Sequence, residues 1–244
     1  MQIETIGTDK RLAAAAELLC SSDREGVDNL VLLPIPTTKD KLHVNGSSVT
    51  LASLTELACE GVAFAGYAIP DALARELALR GARVLDLSEC EDFLDENARL
   101  TAEGTVGHLL SSYPRAISDT KVGIIGYGRI GKYLMRYLML LGAEIRLYTR
   151  REEVRHEVGV FGIESEIMGE NADFANLDLL INTSPSPFPN NAQGLGYKTR
   201  IIELASGSNF PPDMEITRLP SVPAVMYPDT AGRLYAKYIL EGLE

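Results

Sequence analysis

The chain has 244 residues, of which 45% are hydrophobic and 23% charged, a composition typical of a globular protein with one large core or two modest ones. Its 23 basic and 34 acidic side chains give a formal net charge of −11, which disfavours partnership with nucleic acid or an anionic membrane surface. No apolar run approaches the roughly 20 residues of a transmembrane helix, and the amino-terminal residues lack a signal-peptide pattern.

The cysteines indicate a cellular compartment. Cys20, Cys59 and Cys90 are odd in number and widely spaced, which matches neither a zinc pattern nor a disulfide framework. We therefore expect buried thiols in a protein of the reducing cytoplasm, with no metal site.

Short apolar runs alternate with helical patterns in the first 95 residues. Strands are predicted at 3–6, 30–33, 62–65 and 84–87, and helices at 11–19, 51–58 and 71–79. Such alternation favours βα units and a mostly parallel sheet. The sequence thus predicts an α/β substrate-side domain over 1–95, on which a final helix at 230–243 packs back.

A longer helical pattern follows at 96–112. Its apolar face contains Ala102, Val106 and Leu109, and we interpret 96–118 as a linking helix and connector between two lobes. The second lobe is predicted to be a Rossmann dinucleotide-binding domain over 119–229, with later strands at 177–182 and 200–204.

The segment 121–151 carries the most specific motif. An apolar strand is followed by a GxGxxG turn, an amphipathic helix and a second strand, which is the pattern of a dinucleotide-binding unit. The amino end of the helix would face the diphosphate. The residues expected to bind the cofactor are Gly126, Tyr127, Gly128, Arg129, Ile130, Gly131, Thr149, Arg150, Arg151, Thr183 and Ser184.

The end of the second strand predicts NADP as the cofactor. An NAD site places an acidic residue there, whereas this chain has Thr149 followed by Arg150 and Arg151. Guanidinium groups can hold the additional 2′-phosphate of NADP. The alternative is that both arginines are solvated and pair with Glu152 or Glu153.

Polar residues that follow strand ends are candidates for substrate binding. They are Thr37, Thr38, Gly66 and Tyr67 in the first lobe, and Ser184 and Ser186 in the second. We expect the active site in the cleft between the lobes. For each hydroxyl, use in a turn or a helix cap is at least as consistent with the sequence.

The catalytic acid or base carries the weakest signal in the sequence. The histidines are His43, His108 and His156, and none lies in the last third of the chain. Tyr227 and Asp229 are the catalytic candidates, because both could face the nicotinamide. Asp229 also precedes a predicted helix, and we favour a capping role for it.

Several separate segments resemble the A-subunit family of dipicolinate synthase, NADP-linked dehydrogenases of spore-forming bacteria. They read IETIGTDKRLAAAAELL, VLLPIPTTK, ECEDFLDENARLTAEGT, KVGIIGYGRIG, LINTSPSPF, IIELASG and LPSVPAVMYPDTAGR. The resemblance implies sporulation chemistry, in which hydride passes between a dihydrodipicolinate-type cyclic dicarboxylate and NADP. It also implies a second, flavin-type subunit.

The sequence differs from this family in two places, and these differences leave other functions open. The first lobe is shorter than in the family, and the loop after Ala205 reads SGSNFPP where the family has a basic, glycine-rich stretch. The alternatives are a non-catalytic NADP-binding subunit or sensor, a 2-hydroxy-acid dehydrogenase-like enzyme of other specificity, and a methylenetetrahydrofolate dehydrogenase-like enzyme. The chain could also form a homodimer.

Overall fold

A computed structural model describes residues 1–22, 25–169, 171–189, 194–196, 198–205, 210 and 214–244. The chain forms two compact units, one comprising Met1–Leu100 with Pro223–Glu244 and the other Thr101–Val222. Each unit contains a parallel β-sheet with helices packed against it. The predicted α/β class with two mostly parallel sheets is confirmed.

The strands and helices are numbered in chain order. The strands are β1 (Gln2–Thr5), β2 (Asn29–Leu32), β3 (Val62–Gly66), β4 (Arg83–Asp86), β5 (Lys121–Ile125), β6 (Glu144–Thr149), β7 (Glu164–Ile167), β8 (Leu179–Asn182), β9 (Arg200–Glu203) and β10 (Ile216–Arg218). The helices are α1 (Arg11–Leu19), α2 (Asp71–Leu79), α3 (Glu91–Ser112), α4 (Arg129–Leu140), α5 (Glu152–Gly159), α6 (Val222–Met226) and α7 (Pro228–Gly242).

The first unit is a four-stranded parallel sheet in the order β1-β2-β3-β4. Successive side chains of a strand point to opposite faces. Leu30 and Leu32 therefore pack on one face against α1, α7 and the start of α3, whereas Val31 packs on the other face near α2. Both faces are buried, which explains why β2 and β3 are continuous apolar runs.

The second unit is a six-stranded parallel sheet in the order β10-β9-β8-β5-β6-β7. The last part of α3 packs with α4 and α5 in one core beside β5. The other core contains a succession of aromatic rings with centroid separations of 4.4, 5.1 and 4.5 Å. These rings belong to Tyr148, Phe174, Phe188 and Phe210.

Helix α3 differs from the predicted connector. It begins at Glu91 rather than 96, shortly after a 3-10 turn at Leu87–Glu89 in which the Ser88 amide donates to the Asp86 carboxylate. Phe93 near its start is buried in the first unit, and Ala102 and Leu109 are buried in the second. The helix therefore contributes side chains to both cores.

Several local predictions were wrong or incomplete. The helix predicted at 51–58 is a short 3-10 turn at Ser53–Glu56. Strands β7 and β10 and helix α6 were not predicted, because β7 and β10 are short, largely polar edge strands and α6 has only five residues. Cys20 and Cys59 are exposed, so the expectation of buried thiols was wrong for these two residues.

The loop after Ala205 is described only in part. Most of the SGSNFPP stretch, 206–212, lies outside the described residues. Within the described part of the chain, no helix combines the length and apolar character needed to cross a bilayer.

Tyr235 of α7 provides a test of the first unit. Its fully buried hydroxyl group shares its one proton between the carbonyl oxygens of Leu33 (2.9 Å) and Ala65 (3.0 Å), at the ends of β2 and β3. Tyr235→Phe would leave both carbonyls without this donor. We expect it to lower the free energy of unfolding by about 1–3 kcal/mol, measured by urea denaturation.

Tyr238→Phe is the matched control on the same helix. Its hydroxyl donates to Glu96, whose side chain is 37% exposed, so water can replace that bond and the cost should be smaller. Equal losses for the two variants would contradict the role assigned to Tyr235.

Candidate functional site

A cleft lies at the carboxyl ends of β5, β6 and β8 in the second unit, with a volume of about 320 Å³. The carboxyl edge of an open parallel sheet is where α/β proteins bind ligands. Its walls are the glycine turn after β5, the arginine pair after β6 and the loop after β8. The lining residues are Ile125, Gly126, Tyr127, Gly128, Tyr148, Thr149, Arg150, Arg151, Met168, Thr183, Ser184, Pro185, Ser186 and Pro187.

Three glycines shape the turn that forms the floor of the cleft. Gly126 has φ +96°, a left-handed conformation that glycine adopts readily. A side chain at Gly131 would collide with the carbonyl oxygen of Gly126, so this glycine permits α4 to begin close to the strand end. A Cβ on Gly128 would instead lie more than 4 Å from every atom of the described residues other than its chain neighbours. The open face of Gly128 is where a ligand can approach the backbone.

The start of α4 is suited to an anion. Gly128 is the N-cap residue, and among the residues that the structure describes no side chain caps the helix or places an acidic group in its first turn. Amide groups and the positive end of the helix dipole are therefore presented together at the turn.

Thr183 fixes the glycine turn to the neighbouring strand. Its hydroxyl group donates to the carbonyl oxygen of Ile125 at 2.8 Å, and its backbone amide donates to the same oxygen at 2.9 Å. A Cβ on Gly126 would lie 2.7 Å from this hydroxyl. The predicted role of Thr183 is thus accompanied by a structural one.

The two arginines after β6 have different environments. The guanidinium of Arg151 donates to the carbonyl oxygen of Tyr127 at 2.9 Å, which joins the β6 end to the glycine turn. Arg150 is exposed, and within the described part of the chain no hydrogen bond or ion pair holds it. Glu152 pairs with Arg155 at 2.9 Å rather than with either arginine.

Tyr127 contributes backbone to the cleft, but its side chain packs elsewhere. The ring is buried among apolar residues of the second unit, and its hydroxyl donates to Glu157 of α5 at 3.2 Å. Burial, reinforced by the nearby Glu157 carboxylate, raises the pKa of Tyr127. The ammonium group of Lys132 lies 5.1 Å from the ring centroid.

The loop after β8 is held by a series of polar contacts. Asn182 accepts from the amide of Ser184 at 3.1 Å and donates to the Ser184 carbonyl oxygen at 3.0 Å. The Ser184 hydroxyl accepts from the amide of Ser186 at 3.3 Å. Asn182 also donates to the carboxylate of Glu203 at 2.9 Å. These contacts fix one wall of the cleft.

Eight of the residues predicted to bind a cofactor line this cleft, and three others begin α4 beside it. The eight are Gly126, Tyr127, Gly128, Thr149, Arg150, Arg151, Thr183 and Ser184; the three are Arg129, Ile130 and Gly131. Five further lining residues were not predicted from the sequence, because apolar or aromatic residues of strand ends and loops carry no chemical signal of their own. They are Ile125, Tyr148, Met168, Pro185 and Pro187.

The substrate candidates of the first unit are engaged in local structure. Thr37 is fully buried, and its hydroxyl accepts from the amide of Tyr67 at 3.1 Å. The Thr38 hydroxyl accepts from the amide of Lys41 and donates to Asp40 within a turn. Tyr67 is partly buried, with its ring 6.3 Å from that of Phe93. Their proposed contact with a substrate stays a prediction.

The catalytic candidates lie at the start of α7. Tyr227 is the N-cap residue and is half-buried beside the first core. Asp229 is exposed within the first turn, because the helix begins at Pro228 rather than 230. The favoured capping role of Asp229 was therefore wrong. Its carboxylate still interacts favourably with the positive end of the helix.

The site fits a dinucleotide carrying a diphosphate. The open face of Gly128 leaves room above the backbone, the uncapped helix end is compatible with negative charge, and Arg150 extends beside the strand end where an adenosine ribose is expected.

Comparison with known proteins agrees with this geometry. Residues 87–186 match the family described as the NAD binding domain of D-isomer specific 2-hydroxyacid dehydrogenase. The dipicolinate synthase A subunit of Bacillus subtilis (strain 168) is 27% identical over 191 residues, which cover 73% of this chain and 63% of that protein. The match thus spans less than two thirds of the length of that relative.

Solved structures show the same fold. The dipicolinate synthase A subunit from Bacillus halodurans superposes with a TM-score of 0.80 at 20% identity, covering 99% of this chain and 97% of that one. Its counterpart from Bacillus subtilis gives 0.76 at 19% identity, covering 100% and 95%. The resemblance to the A subunit of dipicolinate synthase is confirmed, and the second unit contains an NAD(P)-binding domain of the Rossmann type.

The buried side chain of Tyr148 makes the stability of the second unit depend on pH. Burial raises its pKa from 10.0 to about 12, and its hydroxyl donates to the carbonyl oxygen of Asp173 at 2.7 Å. Above pH 10 the unfolded chain loses this proton while the folded protein keeps it, so stability falls as the pH rises to 12. Between pH 8 and 12, the free energy of unfolding of the Tyr148→Phe protein should therefore fall by about 2–3 kcal/mol less than that of the wild type. Urea denaturation across this pH range measures the difference.

Tyr137→Phe is the control, since the described part of the chain offers its hydroxyl no hydrogen bond. That variant should keep the wild-type pH profile. A Tyr148→Phe profile parallel to the wild type would contradict the assignment.

Proposed function

We propose that this chain is an NADP-dependent oxidoreductase that transfers hydride between NADP and a dihydrodipicolinate-type cyclic dicarboxylate. The observation that carries the proposal is the composition of the cleft. A glycine turn and a helix end receive a diphosphate, and Arg150 directly follows the strand end at which an NAD site would have an acidic residue.

The proposed preference for NADP rests on the positive charge of the arginines after β6 and on the availability of Arg150 to a ligand. Arg150 is exposed at the rim of the cleft, and Thr149 replaces the carboxylate that would repel a 2′-phosphate. Arg151 keeps a bond to the Tyr127 carbonyl oxygen, so it contributes positive charge and also fixes the turn. Arg150 is therefore the principal 2′-phosphate contact, and Arg151 is a secondary one.

When bound, the nicotinamide supplies the hydride chemistry. The residues of the chain hold the dinucleotide between the glycine turn and the loop after β8, and they limit the access of water. Oxidation of a dihydropyridine-type ring also releases a proton. Tyr227 and Asp229 are the proposed residues for its transfer, and Thr37, Thr38 and Tyr67 are those proposed for substrate binding.

The substrate and a partner are proposed from similarity. The curated relative is named as the A subunit of dipicolinate synthase, and that name describes one subunit of a larger enzyme. We propose a related dicarboxylate as substrate and, as partner, a second subunit of the flavin type.

The arrangement of the first unit also favours a second candidate, a non-catalytic NADP-binding subunit, because Thr37 and Thr38 are already used in local structure. Oxidation of a dihydropyridine dicarboxylate with NADP would exclude the second candidate.

Arg150 gives the test of cofactor preference. Arg150→Gln should weaken NADPH binding about ten- to a hundredfold and leave NADH binding nearly unchanged, because a charge-assisted contact is worth roughly 1.5–3 kcal/mol. Nicotinamide fluorescence titration measures both constants.

Arg155→Gln is the matched control, since Arg155 pairs with Glu152 and does not line the cleft. It should leave both affinities unchanged. Tighter binding of NADH than of NADPH by the wild-type protein would refute the proposed preference.

Gly128 tests where the diphosphate lies. Its backbone angles, φ −84° and ψ −167°, are open to other residues, and within the described ranges a Cβ there would have no neighbour within 4 Å beyond the adjacent residues. Gly128→Ala should keep the free energy of unfolding within about 1 kcal/mol while weakening NADPH binding at least roughly tenfold, because the methyl group occupies ligand space.

Gly131→Ala supplies the contrast. Its methyl group would collide with the Gly126 carbonyl oxygen, so this variant should lose stability in urea denaturation whether or not NADPH is present. Undiminished NADPH binding by a folded Gly128→Ala protein would place the diphosphate elsewhere.

A further inference from the structure

A buried carboxylate lies beneath the cleft and does not line it. Glu203, at the end of β9, is 2% exposed, and its neighbour Asn182, at the end of β8, is also 2% exposed. The Asn182 amide donates to the two carboxylate oxygens at 2.9 and 3.2 Å. The backbone amide of Ala205 donates to the same carboxylate at 2.9 Å.

These contacts orient the side-chain amide of Asn182. An ionised carboxylate only accepts hydrogen bonds, so the NH₂ group of Asn182 must face Glu203. Its oxygen then faces the amide of Ser184, from which it accepts at 3.1 Å. The carboxylate thereby sets the direction of the amide that begins the next loop.

The hydrogen bonds that begin at Glu203 continue through Asn182 to the loop that forms one wall of the cleft. Ser184 is held at its amide and carbonyl groups by Asn182, and its hydroxyl holds the amide of Ser186. Both serines line the cleft, together with Pro185 and Pro187. Glu203 is thus connected to the ligand-facing loop by a series of hydrogen bonds through Asn182.

We propose that Glu203 is a positioning residue of the dinucleotide site, which acts through Asn182 to set the loop of Thr183, Ser184, Pro185, Ser186 and Pro187 against the bound cofactor. The inference rests on the proposed function, because it assumes that the cleft binds a dinucleotide. A buried carboxylate is costly to desolvate, and an apolar pair could join two strands at less cost. The orientation that Glu203 gives to Asn182 accounts for a carboxylate at this position.

Glu203→Gln is the principal test. The glutamine keeps only one acceptor oxygen, so its NH₂ group takes the place of the second carboxylate oxygen, 3.2 Å from the NH₂ group of Asn182. The repulsion between the two NH₂ groups displaces the amide that holds Ser184. We expect NADPH binding to weaken about tenfold in fluorescence titration, under conditions where circular dichroism shows the protein to be folded.

Asp178→Asn is the matched control. Asp178 immediately precedes β8, at the opposite end of the sheet, where its carboxylate accepts from the amide of Lys121 at 2.9 Å and pairs with Arg115. This variant should lose stability and keep the wild-type affinity for NADPH. Comparable affinity losses in both variants would show that Glu203 acts only through general stability, which would overturn the proposal.

A double variant tests the orientation directly. Asn182→Asp places two carboxylates together, and we expect it to weaken NADPH binding more than Glu203→Gln does, with a larger effect at pH 8 than at pH 6. In Asn182→Asp/Glu203→Gln, the side-chain amide introduced on β9 can donate to the new carboxylate on β8, which still accepts from Ser184. Affinity should recover about tenfold relative to Asn182→Asp.

The outcomes separate this inference from the proposed function. Wild-type affinity for NADPH in the Glu203→Gln protein, or no recovery in the double variant, would overturn the positioning role while the oxidoreductase proposal stands. If the wild-type protein binds NADH instead, the same variants are compared with NADH. Absence of binding to either dinucleotide would remove both proposals.

Discussion

The close approach of α4 to the end of β5 is the constraint on which the site depends. Gly131 touches the carbonyl group of Gly126 so nearly that no side chain fits between them. This contact sets where the helix begins and which way its first amides point. Arg151 and Thr183 then hold the turn from its two sides through carbonyl oxygens of Tyr127 and Ile125. The cleft is consequently shaped by contacts to three backbone carbonyl groups, those of Ile125, Gly126 and Tyr127.

The two arginines after β6 show how one sequence feature can serve two purposes. Arg151 is committed to the Tyr127 carbonyl oxygen, and Arg150 extends from the rim. A pair of identical side chains thus divides into a structural residue and an available one. The sequence alone could not assign these roles, because only the fold brings the Tyr127 carbonyl within reach of one guanidinium.

The glycine-rich unit at 121–151 could be predicted from sequence because its signal is local. The strand, turn, helix and second strand follow one another, and each glycine has a separate steric reason. Short, polar edge strands such as β7 carry little periodicity, so they were missed. The Asn182–Glu203 contact was also beyond reach, because it joins residues from strands separated by a long loop. The position of Asp229 within its helix could not be predicted either, because it depends on the residue at which α7 begins.

The arrangement of α3 and α7 has a consequence for biosynthesis. The second unit contains residues 101–222, so all of it has left the ribosome before residues 223–244 emerge. The first unit, most of which precedes the second in the sequence, receives Tyr235 and the rest of α7 only afterwards. Translation therefore delivers the complete nucleotide-binding unit first, and the sheet of β1 to β4 waits for its covering helix with one apolar face incompletely buried.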